Sequence, residues 1–167
     1  RTPEARRAAI ERAAALTRDT LDAIAATGLA CGIVTGAGTG SFTHEASSGV
    51  WNELQPGSYV FMDADYGRNQ PEPGAPAFEQ SLWLLATVMS APAADRRVVD
   101  AGLKASSVDS GPPVLHGWPG VVYEKASDEH GVLSVAAGAA APELGDRVRL
   151  VPGHCDPTLN LHDWIVC

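Results

Sequence analysis

The chain has 167 residues, a formal charge of −8, 45% apolar residues and 19% charged residues. This composition excludes disorder as the main state. The acidic balance argues against nucleic acid or an anionic membrane surface as partner, since both need basic patches. No apolar run approaches the roughly 18 residues of a membrane span. The length suits one compact domain or part of a larger protein and is too short for a complete eight-stranded α/β barrel of about 250 residues. Cys31, Cys155 and Cys167 are odd in number and widely spaced, which does not read as a disulfide framework and points to a reducing compartment. Residues 1–27 lack the continuous apolar core of a secretion signal, so a cytoplasmic location is expected. The chain opens on Arg1 and stops on an apolar run, and it reads as a portion of something longer.

In chain order, the first element is an amphipathic helix. Thr2 can cap it, Pro3 suits its first position, and Gly28 suits its end. Ile10, Ala13, Ala14, Thr17, Leu21 and Ile24 form its apolar stripe, with Arg6, Arg7, Glu11, Arg12 and Arg18 expected in water. Residues 30–35 read as a short buried strand, so that helix, turn and strand make an α/β unit. Residues 49–54 read as a second short strand, ended by Pro56-Gly57. After residue 60 the pattern turns to β: residues 58–63, 81–91, 97–103, 121–125, 132–135, 146–151 and 161–167 are strand candidates. Residues 127–131 make a hairpin loop between two of them. Residues 70–76 are a proline-rich loop expected on the surface. The fold class is therefore α/β over residues 1–60 and mostly β over 61–167, the latter an antiparallel barrel or sandwich.

The sharpest chemical motif is Pro152-Gly153-His154-Cys155-Asp156-Pro157-Thr158, just after a strand. In extended backbone, residues i and i+2 share a face. His154 and Asp156 would then offer an imidazole nitrogen and a carboxylate oxygen to one divalent ion, with Cys155 pointing away. Such N/O donors suit Mn²⁺, Zn²⁺ or Co²⁺. The same residues can also serve as a plain turn that satisfies loop backbone. The adjacent pair His162-Asp163 has the wrong spacing for a second ligand set.

A glycine-rich loop, Gly36-Ala37-Gly38-Thr39-Gly40, leaves the first strand where α/β folds bind ligands. Its backbone N–H groups and the Thr39 hydroxyl suit a phosphate, but it has no Walker-type Gly-Lys ending. Gly57-Ser58, after the next strand, can add two donors to the same anion. A plain turn is an equal reading of either loop. The only lysines are Lys104 and Lys125, and both read as surface charges. No Gly-x-Ser-x-Gly elbow is present.

The segments Val34-Thr35-Gly36-Ala37-Gly38-Thr39-Gly40, Glu53-Leu54-Gln55-Pro56-Gly57-Ser58-Tyr59, Val99-Asp100-Ala101-Gly102-Leu103-Lys104 and Gly153-His154-Cys155-Asp156-Pro157-Thr158 carry a resemblance. Together they resemble the D-threonine aldolases, within the D-serine dehydratase-like branch of the alanine-racemase-fold (fold type III) pyridoxal-phosphate enzymes. The resemblance implies that residues 1–60 are the last units of a (β/α)₈ pyridoxal-phosphate barrel. It implies that residues 61–167 are the C-terminal β domain with the metal site. It places the cofactor phosphate on Gly38 and Thr39 in one loop and on Gly57, Ser58 and Tyr59 in the other. It makes His154 and Asp156 the metal ligands, with Mn²⁺ expected first and Zn²⁺, Co²⁺ or Mg²⁺ as alternatives.

The implied reaction cleaves D-threonine and related D-β-hydroxy-α-amino acids to glycine and an aldehyde. In the dehydratases of the group, the position of Asp156 is Cys, so Asp favours the aldolase. Dehydration of D-serine or D-threo-3-hydroxyaspartate is the alternative. The family's Schiff-base lysine lies on an early barrel strand, and neither Lys104 nor Lys125 matches it. No catalytic residue is thus assigned in this chain, which is expected to be inactive without the N-terminal barrel portion. An isolated β domain with an assembly role is the non-enzymatic alternative. A homodimer is the implied assembly. Asp128-Glu129-His130-Gly131 also fits the family pattern, with no role assigned.

Overall fold

Alternating burial along its strands builds the larger of two compact units. The computed structural model describes residues 1–167 and groups them as Arg1–Val60 with Tyr66–Phe78, and Phe61–Asp65 with Glu79–Cys167. In the second unit the strands are β3 (Leu84–Ala93), β4 (Arg96–Val99), β5 (Val114–Leu115), β6 (Val121–Ala126), β7 (Gly131–Val135) and β8 (Arg147–Val151). They form one sheet in the order β5-β8-β3-β4-β7-β6, antiparallel throughout. The end strands β5 and β6 also approach one another, so the sheet is a nearly closed barrel. Of the expected antiparallel barrel or sandwich, the barrel is the one observed.

β3 is the corner strand. Leu84, Leu85, Ala86 and Thr87 pair with β8, while Val88, Ser90 and Ala93 pair with β4 across two register shifts. Such bulges bend a strand and let it serve two partners. In β8, Val148 and Leu150 are buried while Arg147 and Arg149 face out. These join Val88, Val99, Tyr123 and Leu133 in the core. Tyr123 keeps its hydroxyl satisfied by donating to the Ala101 carbonyl at 2.7 Å. Gly131 lies flat against the Tyr123 ring, where a Cβ would collide with it. The hairpin expected around residues 127–131 is β6–β7, paired from Val121↔Val135 to Ala126↔Gly131 with one register shift between Tyr123 and Lys125.

The first unit begins with α1 (Pro3–Ala26), capped by Thr2 Oγ1, which accepts from Ala5 N–H at 3.2 Å. Gly28 follows with φ of +82°, a left-handed helix exit that costs glycine little. The apolar stripe faces inward, although Ala14 alone on it is fully buried. Arg6 departs from the sequence reading. Its side chain is only 12% exposed, and it donates to the carbonyls of Arg1 and Gln70. The proline-rich loop departs likewise at Glu72, which is 14% exposed and bonds Arg7 at 3.0 Å.

The remaining elements are β1 (Thr35–Gly36), α2 (Phe42–Ser47), β2 (Glu53–Leu54), a 3₁₀ turn (Ser58–Val60), α3 (Ala64–Gly67) and α4 (Cys155–Leu159). β1 and β2 pair in parallel. The buried strand expected at residues 30–35 is therefore reduced to its end. Residues 30–33 are exposed coil, because a lone two-strand ladder offers no second neighbour to cover them. The strand expected at 49–54 likewise survives only as β2. The β-prone run at 58–63 makes no strand, and its Met62 adopts φ of +58°. Residues 161–167 are exposed and form no strand, with Trp164 87% exposed. No helix is long and apolar enough to cross a membrane.

Candidate functional site

β8 delivers the chain through Pro152 and Gly153 to His154, the N-cap residue of α4. His154 is extended, with φ of −141° and ψ of 126°, but the backbone turns helical at Cys155. The extended geometry expected over residues 154–156 therefore holds at His154 alone. The pair still meets: His154 Nε2 lies 3.8 Å from Asp156 Oδ2. Cys155 is fully buried, but it does not point away from the pair as expected, because the helical turn brings it beside Asp156. Its thiol is 3.2 Å from Asp156 Oδ1. Beneath the turn, the buried Asp63 carboxylate accepts the Cys155 N–H at 2.9 Å. Ala64 and Asp65 donate their N–H groups to the carbonyls of Pro152 and Gly153.

A second loop, residues 107–111, completes this site. Asp109 Oδ2 is 2.8 Å from His154 Nδ1. Ser107 Oγ donates to Asp109 Oδ1 at 2.8 Å, and Ser107 N–H donates to Thr158 Oγ1 on α4 at 3.2 Å. Gly153 lies so close to the Gly111 carbonyl that a Cβ there would overlap it. The hydrogen bond from His154, followed by that from Ser107, holds the Asp109 carboxyl down at about 2. The same bond to Asp109 is the main cause that raises the His154 imidazole above its ordinary value, and the charges of Asp109, Asp156 and Asp63 add to it.

These donors fit a divalent ion. Two metal–ligand bonds of about 2.0–2.2 Å span the 3.8 Å between His154 Nε2 and Asp156 Oδ2. With Nδ1 turned to Asp109, Nε2 is the ring nitrogen left for a ligand bond. Nowhere do three or more His, Cys, Asp or Glu side chains converge as a ligand set. A metal held by this pair would keep positions open for water or substrate, as catalytic metals do. Asp109 and Asp63 were missed in the sequence reading. Asp109 is 45 residues from His154 and Asp63 is 92 from Cys155, and no spacing rule links such pairs. His162 is tied to the Ala105 carbonyl at 2.8 Å and joins no ligand set.

The glycine-loop residues lie in the first unit. Thr39 and Ser58 are buried, while Tyr59 is 41% exposed. Tyr59 N–H donates to Thr39 Oγ1 at 3.0 Å, so the two loops are in direct contact. Ala37 holds φ of +77° between Gly36 and Gly38, a conformation that costs a non-glycine residue energy and clusters at functional loops. A hollow of about 240 Å³ beside the loop is lined by Gly38, Gly40, Ser41, Tyr66, Asn69 and Arg6 among others. The Arg6 Nε there is buried and has no acceptor. The glycine-rich backbone of the Gly38–Gly40 loop fits an anion such as a phosphate, while the rest of the Arg6 guanidinium is already shared between Glu72 and the carbonyls of Arg1 and Gln70. Gly57 is an exposed turn residue. The lysines do not fit a carbonyl-binding role, which needs a desolvated amine. Lys125 is exposed, and Lys104 is exposed and ion-paired with Glu129.

The fold and this site define a class before they define a relative. Residues 81–167 match the family model described as "Putative serine dehydratase domain", and the chain belongs to that family. Among known proteins, it is 51% identical over 166 residues to a D-threonine aldolase of an Arthrobacter species, an alignment covering 99% of this chain and 44% of the relative. It is 50% identical over 167 residues to a 3-hydroxy-D-aspartate aldolase of Paracoccus denitrificans strain Pd 1222, covering 98% and 43%. It is 34% identical over 180 residues to a D-threo-3-hydroxyaspartate dehydratase of a Delftia species, covering 94% and 46%. The crystal structure of D-threonine aldolase from Filomicrobium marinum superposes with a TM-score of 0.88 at 51% identity, covering 98% of this chain and 43% of that one. The chain thus spans less than half the length of the relatives it matches.

Proposed function

We propose that this chain is part of a pyridoxal-phosphate- and divalent-metal-dependent lyase that cleaves D-threonine and related D-β-hydroxy-α-amino acids to glycine and an aldehyde. The observation that carries the reading is the His154–Asp156 pair: an imidazole nitrogen and a carboxylate oxygen 3.8 Å apart. Identity near one half to two aldolases, against 34% to a dehydratase, supports cleavage over dehydration. Asp156, rather than a thiolate, as the second ligand agrees with that choice.

His154 Nε2 and Asp156 Oδ2 would hold the metal; their mixed N/O donors suit Mn²⁺, Zn²⁺ or Co²⁺, and the family resemblance puts Mn²⁺ first. A divalent ion there supplies Lewis acidity for a substrate hydroxyl. Gly38, Thr39, Gly57, Ser58 and Tyr59 would hold the phosphate, and the cofactor ring supplies the sink for electrons released from a substrate carbon–carbon bond. The chain's own contribution is placement. Asp63 fixes the first turn of α4, and Gly153 lets the two loops close on each other. Because neither lysine is desolvated, the reading requires the covalent cofactor contact to come from a longer protein, and the assembly is expected to be a homodimer.

The test uses the complete protein. Chelation should abolish aldehyde release from D-threonine, and Mn²⁺ should restore it in the parent but not in His154→Ala. Asp156→Cys should shift product from aldehyde toward the 2-oxo acid of dehydration. Aldehyde release that survives both chelation and His154→Ala would overturn the proposal.

A further inference from the structure

We infer that Asp109 is a positioning residue for His154. Its carboxylate selects the imidazole tautomer and ring orientation that leave Nε2 facing Asp156. The inference rests on the proposed metal role of His154 and Asp156 and extends it to a loop distant in sequence.

Contacts along the 107–111 loop hold this geometry although Asp109 itself is half exposed. Asp109 Oδ2 sits 2.8 Å from His154 Nδ1, and the Ser110 hydroxyl is farther from that nitrogen, at 3.4 Å. A carboxylate can only accept, so Nδ1 carries the proton, and in the neutral imidazole Nε2 is then the nitrogen with the lone pair. Asp109 cannot swing away freely, because Ser107 Oγ donates to its other oxygen at 2.8 Å. Ser107 in turn donates its N–H to Thr158 Oγ1 at 3.2 Å, which ties the loop to the helix that carries Asp156. The contact of Gly111 carbonyl on Gly153 pins the far side of the same loop beside the residue preceding His154. One brace thus sets both donors: Asp109 orients the imidazole, and the Thr158 contact fixes α4. Partners of this kind, bonded to the second nitrogen of a ligating histidine, typically govern metal affinity by 10–100-fold.

The experiment measures Mn²⁺ affinity in the complete protein by electron paramagnetic resonance of the free ion, without substrate, for the parent, His154→Ala, Asp109→Ala, Asp109→Asn and Ser107→Ala. Thermal midpoints are measured alongside. The expected result is a 10–100-fold weaker Kd in Asp109→Ala. In Asp109→Asn, whose carbonyl still accepts from Nδ1–H, most of the affinity should return. Ser107→Ala should show a smaller loss. The ranking should not follow the thermal midpoints. Should Asp109→Ala fail to fold, the Asn and Ser107 variants carry the comparison. Parent-like affinity in Asp109→Ala, or an Asn variant as weak as Ala, overturns the inference. Parent binding no tighter than His154→Ala overturns instead the metal reading on which it stands.

Discussion

The two units of this chain are stabilised in different ways. The barrel unit buries large apolar side chains, among them Leu133, Leu150 and Val99 at 0% exposure. Its six strands pair in an unbroken order. The first unit buries two hydrophobic residues, Ala14 and Val50, beside three polar ones, Thr39, Glu45 and Ser58, none of them completely. Its sheet is a two-residue ladder. The barrel thus has a core of its own, while the first unit is organised by caps, ion pairs and loop contacts such as Glu72 with Arg7 and Tyr59 with Thr39. The candidate metal donors, His154 and Asp156, stand on the unit that has the core. That is where a precise geometry is most easily held.

Substitutions sharpen this contrast. The largest effect is expected for Leu133→Ala in the barrel core, a loss of about 2–5 kcal/mol. Its counterpart is Leu16→Ala on α1, where the side chain is 68% exposed and the change should stay within about 0.5 kcal/mol. Urea unfolding of the complete protein separates the two, and equal losses would break the comparison.

A pH effect of intermediate size follows from the Asp109–His154 pair. Folding raises the His154 pKa above its ordinary value and lowers that of Asp109 to about 2. The histidine contribution to stability is complete below about 6.5 and is lost as pH rises through the raised value. The aspartate contribution is present above about 3.9 and fades as pH falls toward about 2. Metal binding needs the neutral imidazole, so Mn²⁺ affinity should move the other way and strengthen as pH rises through that same raised value. Metal-free thermal midpoints and Mn²⁺ titrations across pH 5–9 should therefore show opposite slopes. Parallel slopes would contradict the pairing. The smallest effect is expected for Lys104→Met. Its ion pair with Glu129 lies in full solvent, and exposed pairs contribute little, so the unfolding midpoint should not move.

Legibility in the sequence followed the same divide. β8 was readable because Arg147, Val148, Arg149 and Leu150 alternate with the period of a one-sided strand. The β6–β7 hairpin was readable from its glycine-ended loop. Residues 30–35 and 161–167 have the same apolar look, yet both are mainly exposed. A strand needs a neighbour with free backbone groups, and composition does not report one. The His154–Asp156 pair was legible as a spacing, although a helical turn rather than an extended backbone brings the two together. Asp109 was not legible at all. Its partner lies 45 residues away, and it is the folded contacts of Gly111 on Gly153 and of Ser107 on Thr158 that bring the two segments side by side. Arg6 and Glu72 were misread as solvent residues because periodicity marks the apolar face, not the charges that other segments cover.

The most direct measurement is anomalous X-ray diffraction at the manganese edge from crystals of the complete protein soaked in Mn²⁺. The account predicts a single anomalous peak within bonding distance of both His154 Nε2 and Asp156 Oδ2, with His154 Nδ1 still on Asp109. A manganese peak elsewhere, or none at this pair in a protein that requires the ion for activity, would contradict it.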